Sequence, residues 1–204
     1  MGNKHEYYFD DPEIGIDRET SHPKYNAIIH DQFYFDCLDE FSPFGNDEGA
    51  ETLMALSDWY IERSEDEDVV DWMLDRIDGY GFPFPSDIAA MIQDSKTINE
   101  VHEEDDNFFL CMDETIIATA FGQYKISGLI DEEIKKVALI AIDRQILLSL
   151  QALQYGGLDL NKLYKVVDQE STRPDANGST GHLTQKYLER LGIMKRDLEK
   201  FEVG

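Results

Sequence analysis

The stretch DETIIATAFGQYKISGLIDEEIKKVALIAIDRQILLSLQALQ, residues 113–154, sets the architecture because it predicts two consecutive helices joined by a tight turn. Apolar side chains at helical spacing indicate the first helix, at positions 116, 117, 120, 121 and 124. Asp113 is expected to cap its first turn. Gly128 is expected to end it, because glycine adopts the left-handed conformation without strain. This pair of helices predicts a mainly α protein.

The second helix is predicted to begin after Asp131 and to continue to the glycines at 156 and 157. At 1.5 Å per residue it would span about 35 Å. It is apolar on most of its circumference, which is typical of a buried helix. We therefore expect a single-domain multi-helix bundle packed around this one long central helix.

Polar residues interrupt the apolar run of the long helix at Asp143 and Arg144. Together with Lys136 and Gln151 they follow one narrow face at spacings of seven to eight residues, so a solvated stripe explains them. If the helix were fully buried, Asp143 and Arg144 would instead be candidates for an ion pair or a functional site.

The whole chain is predicted to form one helical domain covering residues 1–204. Its expected parts are an extended arm or edge strand over 1–21, an acidic helical half over 22–110, core helices over 111–170, and a loop with terminal helices over 171–204. Outside the central pair, a short helix is predicted to begin at Pro23. Further helices are predicted at about 47–63, 69–77, 86–93 and 159–170, with two short ones in 182–201. Residues 98–106 and 171–181 are expected to be loops.

The charge of the chain is strongly asymmetric. Residues 1–110 contain 29 Asp and Glu against 6 Lys and Arg, a net charge of −23, whereas residues 111–204 carry a net charge of −2. A field of this sign repels nucleic acid and anionic membranes and attracts basic proteins or metal cations. The same composition also serves solubility alone, and that alternative stays open.

Several features predict a cytoplasmic protein without a membrane segment or a cofactor. No window of eighteen apolar residues occurs, and the N-terminus has no apolar signal region. Cys37 and Cys111 lie in no C-x-x-C pattern, so both are expected to be reduced and buried as small hydrophobes. The five histidines show no zinc-binding spacing. The glycine-rich residues 176–182 lack the lysine of a phosphate-binding loop and are expected to be a connector.

The segment DEFSPFGNDEGAETL, residues 39–53, combines a turn with the start of a helix. Ordinary turn and capping chemistry explains it without a ligand, and a recognition or metal site on its acids is the alternative. The residues expected to form this structural motif are Phe41, Pro43, Phe44, Gly45, Asn46, Asp47, Gly49 and Trp59.

Acidic residues on and after this helix are the candidate contacts for a basic partner. They are Asp47, Glu48, Glu51, Asp58, Glu62, Glu65 and Asp66. Alternatively, Glu48, Glu51, Glu62 and Glu65 form two pairs at i,i+3 spacing, as in all-helical magnesium-dependent nucleotide pyrophosphatases. Many such pairs arise by chance in so acidic a half, and only Arg63 and Arg76 lie near enough in sequence to hold phosphates.

The stretch HPKYNAIIHDQFYFDCLDEFSPFGNDEGAETLMAL, residues 22–56, resembles the N-terminal signature of the YfeS-like family of uncharacterised bacterial proteins. That signature is an H-P start, then D/E-F-x-P-F-G-x-D-x-G-x-[DE]-T-L, and an acidic helix ending near a tryptophan. DETIIATAFGQYKISGLIDEEIKKVALIAIDRQ, residues 113–145, is similar to the second half of the family. The resemblance covers about 22–154 and implies a fold and a bacterial origin. It transfers no activity and no catalytic residue.

The leading hypothesis is a non-enzymatic acidic protein that binds a basic partner, for example an immunity-type inhibitor of a cationic toxin. Complementary charge of this kind speeds encounter and sets specificity. A divalent-metal-dependent hydrolase and a structural interaction module are the alternatives.

Overall fold

The computed structural model describes residues 6–64, 66–105, 107–154 and 179–204. This part of the chain forms a multi-helix bundle with no strand longer than an isolated bridge, so the mainly α fold class is confirmed. A short 3-10 helix, Gln32–Phe35, follows the first α-helix. The α-helices are α1 (Pro23–Ile28), α2 (Asp47–Glu62), α3 (Val69–Asp78), α4 (Ser86–Ala90), α5 (Ser95–Glu104), α6 (Phe108–Ser127), α7 (Glu132–Gln154) and α8 (Ser179–Leu198).

Polar side chains cap the helices at several of the predicted positions. Asn46 Oδ1 accepts a hydrogen bond from the Gly49 N–H at 2.7 Å, and Asp131 accepts one from the Glu133 N–H at 2.7 Å. Gly128 ends α6 with a left-handed φ of 69°. These caps satisfy backbone groups that a helix leaves unpaired at its ends, and they confirm the local predictions.

The central helix is α6, so the expectation that α7 is central was wrong. Between Phe108 and Ile126 every residue of α6 is buried except Cys111 and Glu114, and α6 packs against α1, α2, α3, α5 and α7. On α7 a stripe at seven-residue spacing, Lys136, Asp143 and Leu150, faces solvent. The long helix therefore exposes one narrow stripe to solvent, whereas α6 exposes no residue between Phe108 and Ile126.

The start of α6 was also mispredicted. The helix begins at Phe108, so Asp113 lies inside it and is fully buried rather than capping it. An aspartate in an apolar run favours a cap over the interior of a buried helix, because an unpaired buried carboxylate is costly. Here it is paired with Arg144, as described below.

Other boundaries differ for identifiable reasons. α5 occupies much of the predicted 98–106 loop, since Ile98 and Val101 bury one turn of that acidic segment. α8 is one continuous helix where two were predicted, because its buried face continues past Gly192, which is exposed. The 86–93 helix already ends at Ala90. The predicted 159–170 helix, the glycines at 156 and 157 and most of the 171–181 loop lie outside the described residues.

Residues 6–21, the N-terminal arm, pack across α6 without forming a strand. The Tyr8 N–H donates to the Ile126 carbonyl at 2.9 Å. The buried Lys125 Nζ donates to Asp10 Oδ1 at 2.6 Å and to the Thr20 carbonyl at 3.0 Å. Burial lowers the pKa of Lys125, and Asp10 opposes this shift. The extended-arm prediction is correct in outline, but its edge-strand variant is wrong for these residues.

Candidate binding groove

The segment Asp39–Asn46 folds as a compact turn that places two aromatic rings in the core. Its backbone is fixed by hydrogen bonds to Asp39, whose carbonyl accepts from the Ser42 N–H at 2.8 Å and whose Oδ1 accepts from the Phe41 N–H at 3.2 Å. Phe41 and Phe44 are buried, and so is Pro43 between them. The structural interpretation of this motif therefore accounts for its apolar residues.

The two glycines of the motif allow close backbone contacts. A Cβ on Gly45 would lie 2.1 Å from the Asp39 carbonyl oxygen. A Cβ on Gly49 would lie 2.2 Å from the Pro43 carbonyl oxygen. Since real Cβ atoms do not approach backbone oxygens so closely, the turn folds back onto α2 only because both residues lack a side chain.

Asp39 joins this turn to α8. Its Oδ2 lies 3.1 Å from both Lys186 Nζ and an Arg190 guanidinium nitrogen. Burial raises the pKa of Asp39, but hydrogen bonds from Lys186, the Phe41 N–H and Arg190 outweigh burial and hold that pKa below its ordinary value. The carboxylate is thus charged at neutral pH and holds the turn in place.

A groove of about 460 Å³ runs between the arm, this turn and the outer face of α2. We call it the arm–α2 groove. It is lined by Phe9, Asp10, Ile16, Cys37, Phe44, Gly45, Asn46, Asp47, Ala50, Leu53, Met54, Ser57, Asp58 and Ile61. The α2 members recur three or four residues apart, so the groove follows the axis of that helix.

The arm–α2 groove combines apolar walls with negative charge. Met54 and Ile61 are 64% and 65% exposed, and they lie two turns apart on the same face of α2. Three of the lining residues are aspartates, and none is Lys, Arg or His. Asp10 is paired with Lys125, whereas Asp47 and Asp58 form no ion pair with any described residue. Two uncompensated carboxylates therefore lie along the exposed apolar strip, Asp47 before Met54 and Asp58 between Met54 and Ile61.

Only two of the predicted partner contacts, Asp47 and Asp58, line the arm–α2 groove. Glu51 lies on another face of α2, 3.7 Å from an Arg76 guanidinium nitrogen. Glu62 and Asp66 are exposed outside the groove. Glu65 is outside the described residues.

Glu48 faces α6 rather than the groove. Burial first, and the neighbouring carboxylates of Glu48 and Asp113 second, raise the pKa of Glu114 well above its ordinary value. Burial and the charge of Glu48 also raise the pKa of the Cys111 thiol to about 12, which makes it a poor nucleophile at neutral pH. Cys37, by contrast, is exposed at the groove, so the prediction that both cysteines are buried was wrong for Cys37.

The described carboxylates of the metal alternative, those of Glu48, Glu51 and Glu62, do not converge. Glu51 and Glu62 are eleven residues apart on one helix, about 16 Å along its axis at 1.5 Å per residue. Across the described residues, no group of three or more His, Cys, Asp or Glu side chains could hold a metal ion. The arrangement therefore offers no support for the hydrolase hypothesis.

A buried polar network joins α6, α7 and α4, and the ion-pair alternative considered for Asp143 and Arg144 is correct for Arg144, with Asp113 as its partner. Arg144 pairs with Asp113 through Nε and Nη2, donates from Nη1 to the Ile92 carbonyl at 2.7 Å, and stacks over the Phe109 ring at 4.5 Å. Gln145 donates to Asp113 Oδ2 at 2.7 Å. The solvated-stripe interpretation fails for Arg144 and holds for Asp143. The signal was the charge within the apolar run.

The fold and the groove together define an acidic, all-α protein with an open groove lined by apolar side chains and carboxylates. No membrane-spanning helix is found among the described residues. The chain is 37% identical over 182 residues to "Uncharacterized protein YfeS" of Escherichia coli (strain K12), an alignment that covers 84% of this chain and 69% of that protein. The chain therefore belongs to the YfeS family, as its resemblance indicated. No family model and no solved structure matches it.

Proposed function

We propose that this chain is a non-enzymatic binding protein whose arm–α2 groove receives a basic segment of a partner protein. The observation that carries the proposal is the groove itself, where the uncompensated Asp47 and Asp58 alternate along α2 with the exposed Met54 and Ile61. Apolar contact supplies affinity for such a partner, and complementary charge supplies rate and specificity. An immunity-type inhibitor of a cationic toxin is one function of this kind.

The test is a comparative pull-down with charge-reversed variants. Asp47→Lys/Asp58→Lys changes the groove, and Glu103→Lys/Glu104→Lys changes two exposed acids at the end of α5, far along the chain from the groove. Both variants alter the net charge by the same amount. We expect basic proteins recovered by the wild-type chain to be retained by the α5 variant and lost by the groove variant.

Two outcomes would contradict the proposal. Partners that bind the groove variant as well as the wild type would exclude the groove as their site. Partners that are equally weakened by both variants would indicate attraction by overall charge alone, which is the behaviour of a surface whose acidity serves solubility.

A further inference from the structure

Resting on the proposed function, we infer that the segment received by the arm–α2 groove is a basic amphipathic helix of about four turns. The α2 lining residues extend from Asp47 to Ile61. Fourteen helical steps cover about 21 Å, so a partner helix of about fourteen residues would match the groove along its whole length.

The backbone of the walls favours a helix over an extended peptide. α2 forms one long wall, and its N–H and C=O groups are already bonded within the helix. An extended segment buried against it would leave its own backbone groups without partners, which is costly. A helix satisfies its backbone internally and presents only side chains to the groove.

The apolar residues of the groove define the apolar face of the occupant. Met54 and Ile61 are seven residues apart on α2, two turns or about 10.5 Å. A helix lying along α2 would meet both with large apolar side chains at i and i+7, and with one at i+3 or i+4 over Leu53 and Ala50. The half-buried Phe9 and Ile16 of the arm close the opposite wall.

The carboxylates of the groove define where the partner helix carries positive charge. Asp47 and Asp58 lie eleven residues apart, about three turns: Asp47 is two turns before Met54, and Asp58 is one turn before Ile61. Lys or Arg at one end of the partner helix and about three turns further along it would therefore reach them. Since the described groove lining contains no cation, an acidic helix of the same shape would meet only repulsion.

The probes are three synthetic peptides of about fourteen residues, the length of the groove. The first places Leu on one helical face between lysines; the second is a scramble of the same residues without an apolar face. The third replaces each Lys of the first by Glu. Binding to the wild-type chain is measured by fluorescence anisotropy. We expect the first peptide to bind at least about tenfold more tightly than the other two.

Variants locate the binding in the groove. Met54→Ser/Ile61→Ser removes the exposed anchors, and Ile88→Ser removes an equally exposed apolar side chain of α4, 63% exposed, that does not line the groove. We expect the first variant to lose the preference for the ordered peptide and the second to keep it. Bound peptide should also slow alkylation of the exposed Cys37 in the wild-type chain.

Each outcome bears on the inference separately from the proposed function. Equal binding of the ordered and scrambled lysine peptides would overturn helical recognition and leave a basic partner in place. Equal binding of the glutamate peptide would contradict both. If no peptide bound, the helical inference would fail, and the pull-down would still decide the proposed function.

Discussion

The Pro43 carbonyl oxygen lies so close to Gly49 that no side chain fits between them. The same holds for Gly45 and the Asp39 carbonyl. At this scale steric exclusion explains both glycines of the motif, because the turn must fold tightly onto α2 to form the end of the groove.

Gly49→Ala is expected to destabilise the protein by about 1–3 kcal/mol, because an added methyl group must push apart two packed backbone segments. Gly192→Ala is the matched control, since it is also a helical glycine but nothing lies within 4 Å of its added Cβ. The control should gain up to about 1 kcal/mol from helix propensity. Urea unfolding of the three proteins measures both changes. Similar changes in the two variants would show that the contact at Gly49 is unimportant.

Individual residues whose partners lie within one turn were predictable. Asn46 and Asp131 cap helices and Gly128 ends one, because capping depends on neighbours within two or three positions. Asp47 and Asp58 were correctly placed among the exposed acids, but Glu48 was not, since its contact with α6 depends on tertiary packing.

At the scale of the elements, the Asp113–Arg144 pair connects α6 to α7. Hydrogen bonds from Arg144 to the Ala89 and Ile92 carbonyls add α4 and the loop that follows it. Removing one member of such a buried pair leaves the other charge uncompensated. An exposed pair on the same helix, Asp143 with Lys195 of α8, offers a direct comparison.

Arg144→Ala is expected to destabilise the protein by about 3–5 kcal/mol, and Asp143→Ala by no more than about 1 kcal/mol. The first leaves Asp113 buried without its guanidinium, whereas the second releases a Lys195 side chain that water can solvate. Chemical denaturation at one pH compares the two. Equal losses would mean that burial of the Arg144 pair adds nothing to its importance.

Helices with a periodic apolar face were predicted well, and the errors occurred where composition was interpreted in place of periodicity. The acids of 98–104 suggested a loop, yet Ile98 and Val101 supply the one buried turn that α5 needs. The arm has no period at all, so its role as a wall of the groove follows only from its long-range contacts with α6, such as that of Asp10 with Lys125.

Over the whole molecule, the net charge of −25 lowers the free energy of unfolding, because like charges repel one another in the compact state. Screening by salt weakens repulsion between exposed charges and leaves buried contacts nearly unchanged. Any response of stability to metal ions must therefore be separated from this general response.

Raising NaCl from low to moderate concentration should raise the melting temperature by a few degrees, given about 2–4 °C per kcal/mol for a chain of this size. Mg²⁺, Mn²⁺ and Ca²⁺ at matched ionic strength should produce rises similar to one another, with a chelated sample as the baseline. A much larger rise with one cation that disappears in Glu51→Gln would instead favour the metal-dependent hydrolase.

Both tryptophans of the chain, Trp59 of α2 and Trp72 of α3, lie together with ring centroids 6.0 Å apart and an angle of 37° between their planes. Indole rings this close couple their ultraviolet transitions, so near-ultraviolet circular dichroism should carry a signal from this one contact. Intrinsic tryptophan fluorescence then reports on the packing of α2 against α3, because neither α7 nor α8 contains a tryptophan. If α2 separates from the bundle before the remaining helices unfold, the protein's own optical spectrum will show it.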